Sequence, residues 1–399
     1  METRLKYMLR QRTTIGLVML VAASLPCWSQ DDSRQAALAL EQQGKNTEAE
    51  AAWRALAGEQ PTNPEPFAHL GLLEAREEHY TEAVASYRKA MALDPAMPRL
   101  RFNLGLAYFK AGEYKDALQQ FKLLLKSDPP DSEEGQRLAI LIGMSHYGLA
   151  EFGAATPYLK QAADRDTQNL PLLLTLAHSC LLSQQYPCVL DAFHRIMALN
   201  PESAEAHMLA GEALDEMKQP VDAIRELRAA VEANPKEPNV HFALGYLLWT
   251  QGQTEEASHE FQAELDNVPE HALAMLYLAH AEIQMNQIEN ARPLLEKVVK
   301  ITPSNSMGHR DLGIVYAETS RKADALGEFK KAITLKPDDV NAHWRLGRLY
   351  RSMGKTAEAK AEFDKSKNLN KTADDALIKV MSKVPNRDNA PAVPADQNK

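Results

Sequence analysis

Twelve histidines, three cysteines and one acidic cluster are the parts of this 399-residue sequence best suited to chemistry. His207, His241, His309 and His343 recur at multiples of 34 residues, and histidine suits both metal ligation and proton transfer near neutral pH. Cys180 and Cys188 are separated by eight positions. Glu205, Glu212, Asp215 and Glu216 crowd four carboxylates into one short stretch. None of these sits in a catalytic motif. His259-Glu260 is followed by Phe-Gln-Ala rather than by the second histidine of H-E-x-x-H. The sequence holds no G-x-G-x-x-G, P-loop, G-x-S-x-G or C-x-x-C pattern. The reading is a non-enzyme with no cofactor and no metal.

The elements that would position such residues are written in a period. Pro61, Pro95 and Pro129 are 34 apart, as are Pro201, Pro235, Pro269, Pro303 and Pro337. A fixed period of this length predicts a solenoid of stacked units. Residues 98–129 give the pattern of one unit. A first helix carries Leu104, Gly105 and Tyr108 and ends at Gly112. A second carries Ala117, Phe121 and Leu124 on one face, and Pro129 stops it. Net charge is −9, which argues against a nucleic-acid partner needing a basic stripe.

This pattern resembles the tetratricopeptide repeat family. With each repeat numbered 1–34, position 8 is Gly71, Gly105, Gly143, Gly211, Gly245, Gly313 or Gly347, and alanine in the other three. Position 20 is alanine except at Val189, and position 24 is always large, as at Trp53, Tyr87, Phe121 and Phe261. Small residues at 8 and 20 let the two helices cross closely, and the bulky residue at 24 is expected to fill the gap toward the next hairpin. The resemblance implies an all-α fold, a right-handed α-solenoid (superhelix) of ten helix-turn-helix hairpins. Their boundaries are 30–63, 64–97, 98–131, 136–169, 170–203, 204–237, 238–271, 272–305, 306–339 and 340–373. A four-residue insertion falls near 132–135 and reads as a tolerated surface insertion, with a hinge or protruding loop as the alternative. Pro157 and Pro293 lie early in second helices, where a mild kink is the most they would cause. Residues 374–384 are expected to form a capping helix, with Leu377, Val380, Met381 and Val384 on one face, and 385–399 a disordered tail. These segments leave no stretch for a separate catalytic domain.

Family geometry puts equivalent positions of neighbouring repeats ~10 Å apart, whereas a Zn–N bond is ~2.0 Å. The four recurrent histidines, all at position 4, therefore cannot share an ion and are expected to replace the family's tryptophan, half-buried in each hairpin. Cys180 and Cys188 lie on either side of a helical turn, where a disulfide is possible and two small buried side chains are the alternative.

The resemblance also implies a concave groove lined by positions 2, 5, 9, 12 and 13 of the first helices. Repeats 3 and 4 then offer Phe102, Leu106, Phe109, Lys110, Ile140, Met144 and Tyr147. Repeat 5 offers Leu174, His178 and Leu181, and repeat 6 the four carboxylates. Repeat 7 offers Phe242, Tyr246 and Trp249; repeats 9 and 10 offer Arg310, Arg348 and Arg351. Aromatic and arginine side chains dominate binding hot spots, so the groove is expected to take a peptide or protein segment. Packing of several rings between repeats is the competing reading. Ala68, Leu72, Phe102 and Leu106 stand where the family's clamp for chaperone C-termini carries Lys and Asn, so that clamp is absent.

Residues 1–29 read as a secretory leader. Arg4, Lys6, Arg10 and Arg12 precede an apolar run from Ile15 to Leu25, too short for the ~20 residues of a spanning helix. Cys27 and Ser29 suit cleavage after Ser29, with an uncleaved anchor as the alternative; Pro26 argues against lipid attachment at Cys27. The expectation is an exported bacterial scaffold, periplasmic or secreted, with no membrane insertion after cleavage. Exported proteins of this kind serve envelope assembly, secretion and polysaccharide export. A polysaccharide groove is the runner-up, and an enzyme built on the repeat 6 carboxylates a weaker third.

Overall fold

The computed structural model describes residues 30–126 and 132–381, with side chains through Lys371. The expected leader, residues 127–131 before the insertion, residues 382–384 of the expected capping helix and the tail lie outside the described residues. The chain divides into two compact units at Tyr158 and Leu159. Among the described residues there are twenty helices and no strand.

The first unit contains α1 (Gln30–Gln42), α2 (Asn46–Glu59), α3 (Pro64–Arg76), α4 (Tyr80–Leu93), α5 (Leu100–Lys110), α6 (Tyr114–Leu125) and α7 (Glu133–Gly148). The boundary falls inside α8 (Phe152–Arg165). The second unit continues with α9 (Leu170–Leu182), α10 (Tyr186–Leu199), α11 (Ala204–Glu216), α12 (Pro220–Ala233), α13 (Val240–Thr250) and α14 (Thr254–Asn267). It ends with α15 (Ala272–Gln284), α16 (Ile288–Ile301), α17 (Ser306–Glu318), α18 (Lys322–Leu335), α19 (Val340–Ser352) and α20 (Thr356–Met381). Within each unit, odd and even helices pair as antiparallel hairpins, α1 with α2 through α5 with α6 in the first and α9 with α10 through α19 with α20 in the second, and the second helix of a hairpin packs on the next first helix, as α2 on α3 and α10 on α11.

Each hairpin turns in the same way. The fifteenth residue of every repeat has positive φ, whether it is Gly112 (φ 79) or Ala150 (φ 57). The next residue's N–H reaches back five positions to a carbonyl, as Glu113 does to Tyr108 and Glu151 to His146. This is the Schellman closure of a helix C-terminus. At the other end, side chains such as Asn169, Ser203, Asn305 and Asp339 accept backbone N–H groups and cap the first helices.

The packing rule differs in one detail from the sequence expectation. The large side chain at position 24 lies first on the glycine of its own hairpin. A Cβ on Gly245 would stand 2.9 Å from the Phe261 ring, and one on Gly313 2.7 Å from the Phe329 ring. Phe261 also reaches the next hairpin, with its centroid 5.8 Å from that of Tyr277. Trp53, Tyr87 and Phe121 anchor the core of the first unit in this manner, and Phe261, Leu295 and Phe329 that of the second.

Three irregular places resolve structurally. Part of the insertion is helix, since Glu133–Gly135 add a turn to the start of α7 behind the N-cap Ser132. Pro157 and Pro293 are the sixth residues of α8 and α16, which run through them unbroken. The segment expected to cap the stack is the C-terminal continuation of α20, a single 26-residue helix, rather than a separate helix with its own N-cap.

Candidate functional site

Beyond each hairpin and its neighbour, the second unit's first helices touch one another in succession, α9 to α11 and on to α19. They form one wall with the second helices behind it. The groove candidates Phe242, Tyr246, Trp249, Arg310, Arg348 and Arg351 all stand on first helices of this unit; Phe102, Phe109 and Tyr147 belong to the first unit.

The strongest assembly is aromatic and is built from α13 and α15. Tyr246 meets Trp249 at 6.2 Å between centroids and Tyr277 at 5.2 Å, edge to face. Trp249 meets Tyr277 at 5.3 Å and His280 at 5.4 Å. Burial, followed by the neighbouring Tyr246 hydroxyl, raises the Tyr277 phenol above its ordinary value. Tyr246 remains 39% exposed. Phe242 is more enclosed, with His271 at 5.1 Å and Phe261 at 5.9 Å. The cluster thus combines both sequence readings: Phe242 and Trp249 pack between repeats, while Tyr246 presents its ring to the open wall. Tyr277 and His280 were missed in the sequence; His280 stands at position 9, one of the inward positions, and could have been read from it.

The other candidates divide. Arg310 carries no free charge for a ligand. It is only 12% exposed and lies 2.9 Å from Asp311 and 3.3 Å from Asp339. Burial lowers its pKa, but the two carboxylates outweigh this and raise it. Asp311 in turn lies 2.8 Å from His280, so His280, Asp311, Arg310 and Asp339 form one polar chain running from the eighth repeat through the ninth to the N-cap of α19. Arg348 and Arg351 are exposed on α19. Leu181 is buried rather than facing the wall. In the first unit, Phe109 stacks edge to face on Tyr114 at 5.6 Å, Tyr147 on Phe152 at 5.4 Å, and Phe102 tilts toward Phe121 at 6.2 Å. All three rings are half-buried.

In the acidic stretch on α11, Glu205 lies 2.8 Å from the His178 ring. Burial first, then Glu216 and Asp215, raise the Glu212 carboxyl. Among the described residues no group of three or more His, Cys, Asp or Glu side chains is placed to hold a metal ion. The four recurrent histidines each face a glutamate nineteen residues later: His207 with Glu226, His241 with Glu260, His309 with Glu328 and His343 with Glu362. They join the two helices of a hairpin. Cys180 and Cys188 form a disulfide across the α9–α10 turn, with a Cα–Cα distance of 5.8 Å.

Two family models, both described as Tetratricopeptide repeat, match the chain, one at residues 74–139 and 189–247 and the other at 242–306 and 310–373. No curated protein matches by sequence. Similar solved structures include MamA, residue 41 to the end, from Desulfovibrio magneticus RS-1, at 22% identity, TM-score 0.40, 42% of this chain and 96% of that chain. YrrB, described as a TPR protein with an unusual peptide-binding site, is 18% identical over 45% of this chain and 92% of that chain, with TM-score 0.40. The Naa15/Naa10 complex bound to HypK-THB is 17% identical over 86% of this chain and 58% of that chain, with TM-score 0.41. The repeat pattern, the hairpin geometry and both family models agree that this chain belongs to the tetratricopeptide repeat family.

Proposed function

We propose that the chain is a non-enzymatic protein-interaction scaffold whose second unit holds a segment of a partner protein along the first-helix wall. The observation carrying this is the α13–α15 aromatic cluster, in which an exposed Tyr246 is braced by Trp249 and Tyr277 on otherwise well-packed helices. A large ring left open on a rigid wall is the kind of residue that anchors protein interfaces. The scaffold acts outside the bacterial cytoplasm, in the periplasm or envelope. Support for that location comes from the leader-like sequence of residues 1–29 and from the Cys180–Cys188 disulfide, a bond that persists in oxidising compartments.

The test is partner capture from an envelope fraction by the purified chain and by the folded Tyr246→Ala/Trp249→Ala variant. The expected result is loss of the captured protein with the variant. Undiminished capture would remove the cluster from the binding surface, and release of the partner by soluble glycan would favour a polysaccharide groove instead.

A further inference from the structure

Arginines of the second unit are mostly held by carboxylates. Arg195 lies 3.0 Å from Asp164, Arg225 2.7 Å from Asp222, and Arg321 2.8 Å from Asp324. Helix α19 breaks that habit. Arg345, Arg348 and Arg351 make no hydrogen bond or ion pair among the described residues; they lie against aromatic faces. The guanidinium carbons of Arg345 and Arg348 stand 5.4 and 5.0 Å from the centroid of Trp344, and that of Arg351 stands 5.6 Å from Phe363. Trp344 is itself 42% exposed. Between α17 and α19 a cavity of about 180 Å³ opens, with Arg345 and Arg348 on one side and Ile314, Ala317 and Glu318 on the other.

The electrostatics of this place are unfinished. Burial, and then the positive charge of Arg348, depress the Arg345 guanidinium, while Glu318 and Asp311 favour its charged form without reversing the shift. An added anion would complete the site, and a carboxylate matches the planar guanidinium fork.

Resting on the scaffold reading above, we propose that α19 is an anion-recognising subsite of the same wall. Its occupant is an acidic stretch of the partner segment that covers Tyr246 and Trp249. Arg348 and Arg351 stand at positions 9 and 12 of their repeat, the places of Tyr246 and Trp249 in theirs. The two clusters therefore occupy equivalent positions of the same wall, on first helices three repeats apart. At ~10 Å per repeat and ~3.3 Å per extended residue, the Asp or Glu residues fall about nine residues from the apolar anchor.

The test is selection of random peptides of about sixteen residues, long enough for both clusters, displayed on phage and panned against the purified chain. Enrichment of an aromatic or aliphatic residue followed or preceded at that spacing by Asp or Glu is expected. Replacing the selected acidic residues by Gln or Asn should weaken binding about ten-fold, the scale of a lost charge-assisted contact. The same replacement should have no effect on binding to the triple variant Arg345→Gln/Arg348→Gln/Arg351→Gln, or, should that variant melt early, to the double variant Arg348→Gln/Arg351→Gln at the two exposed positions. Peptides that depend on Tyr246 yet show no acidic preference, or whose acidic preference survives the arginine variants, overturn the subsite alone. Recovery of no Tyr246-dependent peptide overturns the scaffold reading and the subsite together.

Discussion

The Nδ1 atom of His343 lies 2.5 Å from a carboxylate oxygen of Glu362, and its Nε2 atom lies 3.0 Å from the carbonyl oxygen of Pro337. His309 has the same arrangement with Glu328 and Pro303. In each case a carboxylate oxygen lies at one ring nitrogen and a backbone carbonyl oxygen at the other. One imidazole thus joins the second helix of its hairpin to the loop that precedes the first. The family's bulky residue at this place gives way to a polar clasp.

The clasp has an acid limit. Burial opposes ionisation of Glu362, but hydrogen bonds from His343 and Lys365 outweigh it, and the carboxyl sits below its ordinary value. A depressed carboxyl contributes stability above its unfolded pKa, about 4.3, and that contribution disappears as pH falls through the folded value. Glu362→Gln should therefore be less stable than the parent near neutral pH, by about 1 kcal/mol, with the difference closing in acid. Urea unfolding at a series of pH values checks this; a gap independent of pH would mean that charge plays no part.

Glu282 on α15 behaves in the opposite sense. Its Oε2 atom is buried without a hydrogen-bond partner, and burial pushes its carboxyl up to about 7. A raised carboxyl leaves stability highest below the unfolded pKa and lowers it as pH rises through the folded value. Glu282→Gln should match the parent in mild acid and exceed it in alkali by about 1–2 kcal/mol, after allowance for a half-exposed site. Equal stability of the two proteins on the alkaline side would remove the burial cost.

What was legible in the sequence was what depends on one repeat at a time. Gly245 and Phe261 announce a close helix crossing because only a residue without a side chain fits beneath that ring. The Glu362 partner of His343 was not legible, since it depends on the register of two antiparallel helices. Nor was the neutralisation of Arg310, whose second carboxylate, Asp339, caps the first helix of the following repeat. Trp344 occupies the same repeat position as Phe242, but its contacts with Arg345 and Arg348 depend on side-chain placement that spacing along the sequence does not give.

The turn geometry gives a prediction at a residue that the sequence leaves silent. Ala150 holds φ 57 where Gly112 holds φ 79. An L side chain is disfavoured there, and glycine is not. The strain is tolerated because the Glu151 N–H to His146 carbonyl bond and the hairpin packing fix the turn. Ala150→Gly should stabilise the first unit by about 0.5–1 kcal/mol, read from the shift of its denaturation midpoint. A loss of stability would show that chain entropy outweighs the turn strain.

The opposite substitution tests the crossing. Gly245→Ala places a methyl carbon 2.9 Å from the Phe261 ring, and Phe261 is fully buried with Tyr277 beyond it. The ring has to shift toward the aromatic cluster, at a cost of about 1–3 kcal/mol. Because the displaced ring adjoins Phe242 and Tyr277, the same variant should also alter the near-ultraviolet circular dichroism of the cluster. An unchanged melt with an unchanged aromatic spectrum would show that the helices separate freely, contrary to the close packing on which the wall depends.

The disulfide closes a loop of sequence separation 8, so its effect acts mainly on the unfolded chain. Short loops of this kind contribute about 2 kcal/mol. The bond joins the end of α9 to the beginning of α10, where the turn is already fixed by the Gln185 N–H to Cys180 carbonyl bond. Reduction should therefore lower the urea midpoint while leaving the helical circular dichroism of the native state intact. Replacing both cysteines by alanine should reproduce the reduced protein's midpoint and make it insensitive to reductant. Thiol titration of the unfolded, unreduced protein should find neither Cys180 nor Cys188 free. Finding both reactive would remove the cross-link, and with it one of the two supports for an oxidising compartment.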